Sequence, residues 1–379
     1  MHDPSQPSAP GTRSSFSRRV FLKGAGSLAV VSAIGGCALL TAGQAGAETR
    51  PASGQLNSQA VAFMEAFGLD YPIVKAAPGG ERLAIAVANA GGLGSLGLSW
   101  SSPDNADEAV TRMLAQTEGN FYANFVLHFE PVALDKTLEA GCPTVQFSWG
   151  LPSSEVVSKI RAAGARMGIQ VSSREGAERA LELLPDFLIC QGIEAGGHVQ
   201  ATQPLEHVLP DVVEVAGDVP VLVAGGISTG HDIRDALGQG AAGVVLGTRF
   251  MATEESRAHD TYKQRLVEAG EHSTVYTNCF NDNGGWNAMH RVLRNDTVRT
   301  WEAAGCPLDE SKPGKDDVVA HHPTYGPAVR YATINPVAGH TGDVEDMAMY
   351  AGTGVSRVQD APPAAELIER LWREFEGQS

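Results

Sequence analysis

Positive charge is scarce in this chain: 28 Lys and Arg stand against 44 Asp and Glu, for a formal net charge of −16. A body this acidic repels phosphodiester backbones, which argues against nucleic acid as a partner and leaves solubility as the role of the charge. Cysteine is equally sparse. Cys37, Cys142, Cys190, Cys279 and Cys306 form no C-x-x-C pair and no metal-ligand spacing, which speaks against a zinc module or a disulfide-built scaffold. Apolar runs stay short, and the longest, 25–40, falls below the roughly 20 residues that cross a bilayer. No G-x-G-x-x-G follows the first apolar strand, where Gly79-Gly80 stands instead; an open, doubly wound dinucleotide-binding sheet would carry its fingerprint there.

Glycine, by contrast, is plentiful at 43 residues, in an otherwise ordinary composition of 43% hydrophobic and 19% charged residues. The glycines therefore belong to turns and ligand loops. The first 47 residues read as an address. Ser17-Arg18-Arg19-Val20-Phe21-Leu22-Lys23 precedes the apolar run and then Ala45-Gly46-Ala47. Paired arginines, a mild Gly/Ala-rich segment and a small-x-small end together resemble a twin-arginine export signal. Ile34-Gly35-Gly36-Cys37 looks like a weak lipobox, so a lipidated Cys37 is the one route to a membrane. Cleavage after Ala47 removes Arg13, Arg18, Arg19 and Lys23 but only Asp3, leaving a still more acidic mature chain. The resemblance implies the twin-arginine export machinery as a partner, an exported location, and a domain folded before it crosses. Folding in the cytoplasm weighs against a Cys279–Cys306 disulfide, and Cys142 and Cys190 read as buried thiols.

After a lead-in over 48–70 the apolar pattern alternates between strand and helix. Strands are expected at 71–77, 93–98, 121–127, 144–147, 166–171, 186–189, 219–224 and 243–246, and helices at 81–89, 104–116, 134–140, 153–163 and 174–183. Eight such units imply an α/β chain folded as a closed (β/α)8 TIM barrel over 71–256. Residues 257–379 carry runs such as Asn281-Asp282-Asn283-Gly284-Gly285-Trp286 and His321-His322-Pro323. They read as a helical and loop extension over the barrel mouth, ending in an amphipathic helix at 364–375.

The glycine-rich loops cluster after strands six, seven and eight. Cys190-Gln191-Gly192-Ile193-Glu194-Ala195-Gly196-Gly197-His198 follows the sixth; Gly225-Gly226 and Gly247-Thr248 follow the next two. Without a Cβ, such loops bring backbone N–H groups close to an anion, and barrels commonly bind phosphate after strands seven and eight. His198 projects where that ligand would lie, with a side chain that exchanges protons near neutrality. Glu194 either orients His198 or caps a turn. Lys75, at the end of the first strand, either steers an anionic substrate or points at solvent. His128, His207, His231 and His340 read as surface or loop residues, and His321-His322 lacks the spaced partners of a metal site.

NAGGLG (89–94), QGIEAGGH (191–198), VPVLVAGGI (219–227) and GVVLGTRF (243–250) together resemble the nitronate monooxygenase family, with an echo at Tyr350-Ala351-Gly352-Thr353-Gly354-Val355. The resemblance implies an FMN-binding barrel that oxidises alkyl nitronates with O2 to carbonyl compounds and nitrite. Carried over residue by residue, it assigns the FMN phosphate to Gly225, Gly226, Gly247 and Thr248. It places Ala76, Ala77, Asn124, Gln170 and Gly197 beside the flavin, and makes His198 the catalytic histidine. Its partners would be a small nitronate-like or quinone-like substrate and O2, with no metal. The chain departs from the family in three places: the loop 75–81 is short and lacks a methionine, Thr353-Gly354 replaces the usual Gln-Ser, and Trp149 follows Ser148. Three other outcomes share the frame: an NAD(P)H:quinone reductase, an FMN-dependent enoyl-acyl-carrier-protein reductase, and a non-enzymatic exported FMN-binding barrel. Export argues against the carrier-protein substrate, which is cytoplasmic. An inosine-phosphate-type dehydrogenase would need a reactive cysteine in the active-site loop, whereas Cys190 lies at the strand end.

Overall fold

The computed structural model describes residues 56–282 and 286–378. The export signal read over 1–47, Cys37 within it and the start of the lead-in lie outside the described residues. Eight parallel strands form one sheet: β1 (Ile73–Lys75), β2 (Gly94–Gly97), β3 (Phe121–Val126), β4 (Thr144–Ser148), β5 (Arg166–Val171), β6 (Phe187–Gln191), β7 (Val221–Ala224) and β8 (Gly243–Leu246). They pair in the order β1-β8-β7-β6-β5-β4-β3-β2, and a parallel bridge from Val74 to Leu93 returns β1 to β2. The sheet is thereby closed into the (β/α)8 barrel.

The strands are continuous apolar runs because both faces are covered. All six residues of β3 are buried. Alternate side chains fill the barrel interior, where Val74, Leu93, Tyr122, Phe187, Leu222 and Val245 form one cluster. The others face the ring of helices. Gly168 in β5 makes room inside: a Cβ there would lie 2.1 Å from the Phe187 ring. Strand β1 is shorter than 71–77 because the chain enters through Pro72 and leaves into the Ala76-Ala77 loop. The helix Glu81–Asn89 and strands β5 and β8 fall on the expected residues.

Two features of the fold were not read from sequence, the helix of the lead-in and the helices after β6 and β7, while the last helix falls where it was expected. Within the lead-in, the helix Ser58–Phe67 is capped by Asn57, whose carboxamide accepts from the Ala60 N–H at 2.8 Å and donates to the carbonyls of Leu237 and Ala241. Its Phe63 and Phe67 pack on Phe187 at 6.1 and 5.4 Å, adding to the interior cluster. Helices Leu205–Ala216 and Gly230–Gly238 complete the units after β6 and β7. The last helix, Ala364–Glu376, lies against Gly230–Gly238 on one side and Glu81–Asn89 on the other, so it fills the eighth position of the helical ring. Gly230 permits that approach, since a Cβ there would stand 2.2 Å from the Leu371 carbonyl. Buried Arg249, just after β8, ties the return by an ion pair to Asp360 at 2.6 Å, and Arg370 shares the same carboxylate.

Between β8 and that helix the chain builds the cover of the barrel. Thr274–Thr277 pairs with His290–Leu293, which pairs antiparallel with the two residues Gly197–His198. A second small sheet joins Gly326–Val329, Val318–His322 and Thr341–Gly342. Among the described residues no helix is long and apolar enough to cross a membrane.

Candidate active site

At the C-terminal ends of the strands the barrel interior turns from apolar to amide. Asn124 on β3 donates to the Gln146 carboxamide on β4 at 2.6 Å. Gln170 on β5 donates to Gln200 at 3.2 Å, and the Gln200 N–H donates to Gln191 on β6 at 2.7 Å. Gln200 also accepts from the Trp149 N–H at 3.0 Å. Carboxamides suit such a floor, because each offers donors and acceptors without the cost of burying a charge. Asn124 and Gln170 are thus brought to one layer, joined by Gln146, Gln191 and Gln200, which the sequence did not single out.

His198 stands above this layer on its two-residue strand, register-paired with His290. Its Nε2 has neither solvent access nor a hydrogen-bond partner, a costly state that a bound ligand or water would relieve. Burial, with a smaller contribution from His290, lowers the His198 pKa to about 3, so the imidazole is neutral at physiological pH. His290 is fixed differently. Its Nε2 accepts from the Phe280 N–H at 3.2 Å and its Nδ1 lies 3.0 Å from the Ala288 carbonyl, which sets the proton on Nδ1. Burial lowers its pKa to about 4. Two neutral imidazoles therefore face the mouth.

The glycine loops converge beside this pair, backbone against backbone. A Cβ on Gly352 would lie 2.7 Å from the Glu194 carbonyl, one on Gly196 would lie 2.4 Å from the Gly352 nitrogen, and one on Gly354 would lie 2.5 Å from the Gly226 carbonyl. Gly225 and Gly226 hold φ of +122° and +75°, a region closed to most side chains. The Thr248 hydroxyl accepts from the Gly352 N–H at 2.9 Å, drawing the loop after β8 to the Gly352–Gly354 segment. A cavity of about 270 Å³ opens between Gly225-Gly226 and the helices Leu205–Ala216 and Gly230–Gly238, where Glu194, Glu206, Asp232 and Asp235 line it together with Thr353 and Arg357, so it is too acidic to be the phosphate site itself. Arg357, which the sequence did not flag, donates to the Gly226 carbonyl at 2.5 Å and pairs with Asp232 at 3.1 Å, tying its segment to this loop. Ala76 and Gly197 belong to the same mouth, since a Cβ on Gly247 would sit 3.6 Å from that of Ala76 and Gly197 pairs with Arg291. Ala77 lies toward β2, where a Cβ on Gly97 would be 3.6 Å from its own.

Several side chains differ from their expected settings. Lys75 is wholly buried rather than solvent-facing: its ammonium donates to the carbonyls of Ala76, Ala77 and Ser95 at 3.0 to 3.2 Å, and burial lowers its pKa to about 7. It pins the loop after β1. Glu194 keeps the capping one of its two expected roles: it does not reach His198 but accepts from the Leu205 N–H at 3.1 Å, at the start of the next helix, where a carboxylate meets the helix dipole. His340 is buried, contrary to the surface expectation, against the Val337 backbone and His322. His128 is exposed in a turn, as expected, and its ring stacks with Trp286 at 5.4 Å. Cys142, Cys190, Cys279 and Cys306 are free, and burial pushes the Cys190 thiol up to about 12, far from a nucleophile's range. Among the described residues no group of His, Cys, Asp and Glu could hold a metal ion.

Fold and site together define a (β/α)8 enzyme that binds its ligand at the C-terminal mouth. The nitronate monooxygenase family model matches residues 131–374, and the chain belongs to that family, whose members are flavin-dependent oxidoreductases. The chain is 27% identical over 364 residues to a nitronate monooxygenase of Paraburkholderia phytofirmans, covering 83% of this chain and 94% of that one. It is 33% identical over 248 residues to the (3aS,4S,5R,7aS)-5-hydroxy-7a-methyl-1-oxo-octahydro-1H-indene-4-carboxyl-CoA dehydrogenase of Mycobacterium tuberculosis, covering 63% and 67%. The solved structure of FabK from Thermotoga maritima superposes with a TM-score of 0.70 at 25% identity, covering 83% of this chain and 96% of that chain.

Proposed function

We propose that the protein binds FMN and oxidises nitronate anions with O2 to carbonyl compounds and nitrite. Two nitronates and one O2 balance as two carbonyls and two nitrite ions. The observation that carries this reading is the orphaned Nε2 of a neutral His198 at the mouth of a glycine-framed barrel. Bound FMN supplies the electron transfer that no side chain can. Gly225, Gly226, Gly247 and Thr248 would hold its phosphate. Ala76, Ala77, Asn124, Gln170 and Gly197 would lie along its ring. A neutral imidazole with a pKa of about 3 is a weak base but a competent hydrogen-bond donor. It would therefore orient a preformed anion better than it would deprotonate a nitroalkane.

A second reading draws on the Mycobacterium tuberculosis relative: dehydrogenation of a ring-bearing thioester, favoured by the aromatic side chains at the mouth. One experiment separates these readings from a pyridine-nucleotide reductase. The heat-released cofactor is expected to be FMN, and aerobic turnover of propane-2-nitronate should release nitrite in step with O2 uptake. NADH and NADPH should leave the flavin oxidised under anaerobic conditions. Release of FAD, or flavin reduction by NADH with no nitrite from nitronate, rejects the assignment.

The reading of 1–47 as a twin-arginine signal makes the enzyme an exported one that folds before transport. Replacing Arg18 and Arg19 by Lys is then expected to hold active, flavin-loaded enzyme in the cytoplasm. Unchanged export in a fractionation assay rejects it.

A further inference from the structure

The niche above His198 is filled by the protein's own aromatic rings. Trp286 stacks on the His198 imidazole at 4.2 Å and 16°, nearly parallel, and is only 8% exposed. Trp149 meets Trp286 edge-on at 4.9 Å, and Phe129 does so at 5.4 Å. Trp100 extends the wall outward from Phe129 while remaining 68% exposed. Trp149 occupies this place at a conformational cost. Its φ is +60°, a left-handed setting unfavourable for a bulky side chain, typically by about 1–3 kcal/mol. The Gln200–Gln191 amide chain holds its N–H there. The Trp286 side is braced as well: Asn287 accepts from Asn281 at 2.7 Å and from Asn278 at 3.3 Å, while buried Lys312 pairs with Asp282 at 2.7 Å.

We propose that Trp286 and Trp149 form an aromatic clamp that makes the enzyme selective for substrates with a planar, π-bearing ring next to the reacting anion. The indole of Trp286 shows what the niche accepts: a flat ring lying parallel to the imidazole, with aromatic edges around it. A planar ligand set between the Trp286 and Trp149 indoles beside His198 gains stacked and edge contacts with them, each worth about 0.5–1.5 kcal/mol beyond simple burial. A branched alkyl substituent cannot make either contact.

The inference rests on His198 marking the reacting position, and its test does not need turnover. Benzoate and isobutyrate, planar carboxylates standing in for aryl and alkyl nitronates, are titrated into the flavin-loaded protein. Binding is read by the flavin difference spectrum and, independently, by tryptophan fluorescence quenching. The wild type should bind benzoate at least about tenfold more tightly than isobutyrate. Trp286→Leu should bring the ratio close to one, and Trp286→Phe should retain part of it. Trp149→Leu reads the same ratio from the other side of the clamp if Trp286→Leu folds poorly. A wild-type ratio near one, or a ratio that survives both leucine variants, overturns the clamp. Absence of nitronate turnover in a protein that keeps the benzoate preference would overturn the proposed reaction and leave the clamp standing.

Discussion

Gly354→Ala is expected to yield a folded barrel that has lost its flavin. The new methyl carbon would sit 2.5 Å from both the Gly226 carbonyl and the Ser228 hydroxyl, and 2.9 Å from the Gly226 carbonyl carbon. The obstacle is mostly backbone, so no rotamer change relieves it. The Gly225-Gly226 loop and the Gly352–Gly354 segment must instead move apart, at the roughly 1–3 kcal/mol typical of overpacking. If those loops frame the phosphate, their separation weakens FMN by about 5- to 150-fold, since each tenfold is about 1.4 kcal/mol. Flavin per polypeptide after gel filtration is the measurement. Gly238→Ala serves as the control, because a Cβ there meets nothing within 4 Å. Full flavin content in Gly354→Ala would remove the glycine frame from the cofactor site.

His198→Asn is expected to keep flavin and fold while lowering nitronate turnover by about tenfold, because Asn restores only part of the hydrogen bond that the imidazole gives the anion. Neutral nitroalkanes should turn over slowly in both proteins, since an imidazole with a pKa of about 3 takes a proton from carbon poorly. The low pKa of His198 sharpens the expectation. With the wild-type imidazole neutral down to about pH 3, nitronate turnover should show no histidine-like inflection between pH 5 and 8. Steady-state rates of both substrate forms across that range, normalised to flavin, are the check. An inflection near pH 6.5 that disappears in His198→Asn would mean the histidine titrates in the open, and equal wild-type rates in the mutant would make it a turn residue.

The barrel was legible because its strands are short apolar runs with glycine at their ends, a pattern that eight parallel, doubly covered strands require. The glycine loops were legible for a related reason: backbones packed so closely that a Cβ would stand 2.4 to 2.7 Å from its neighbours leave no alternative residue at Gly196, Gly352 and Gly354. The aromatic wall was not. Trp149 lies after β4 and Trp286 within the cover, and nothing periodic relates them; only the pairing of His198 with His290 brings the second beneath the first. His290 was invisible for the same reason. Lys75 misled because lysine usually seeks water, and only the three carbonyls that close around its ammonium explain its burial.

The helix Ala364–Glu376 stands in the ring beside strands made long before it. On a ribosome, β1 through β8 and seven of their helices would emerge with one flank of the barrel open, exposing the apolar surface that Leu367, Ile368, Leu371 and Phe375 finally cover. All of the cover between Gly247 and Pro363 must be synthesised in that unfinished state. The wall and its roof thus reach completion together, only once Phe375 has been made, and a nascent chain cut short anywhere in the cover would display a sticky seam that chaperones and proteases can recognise.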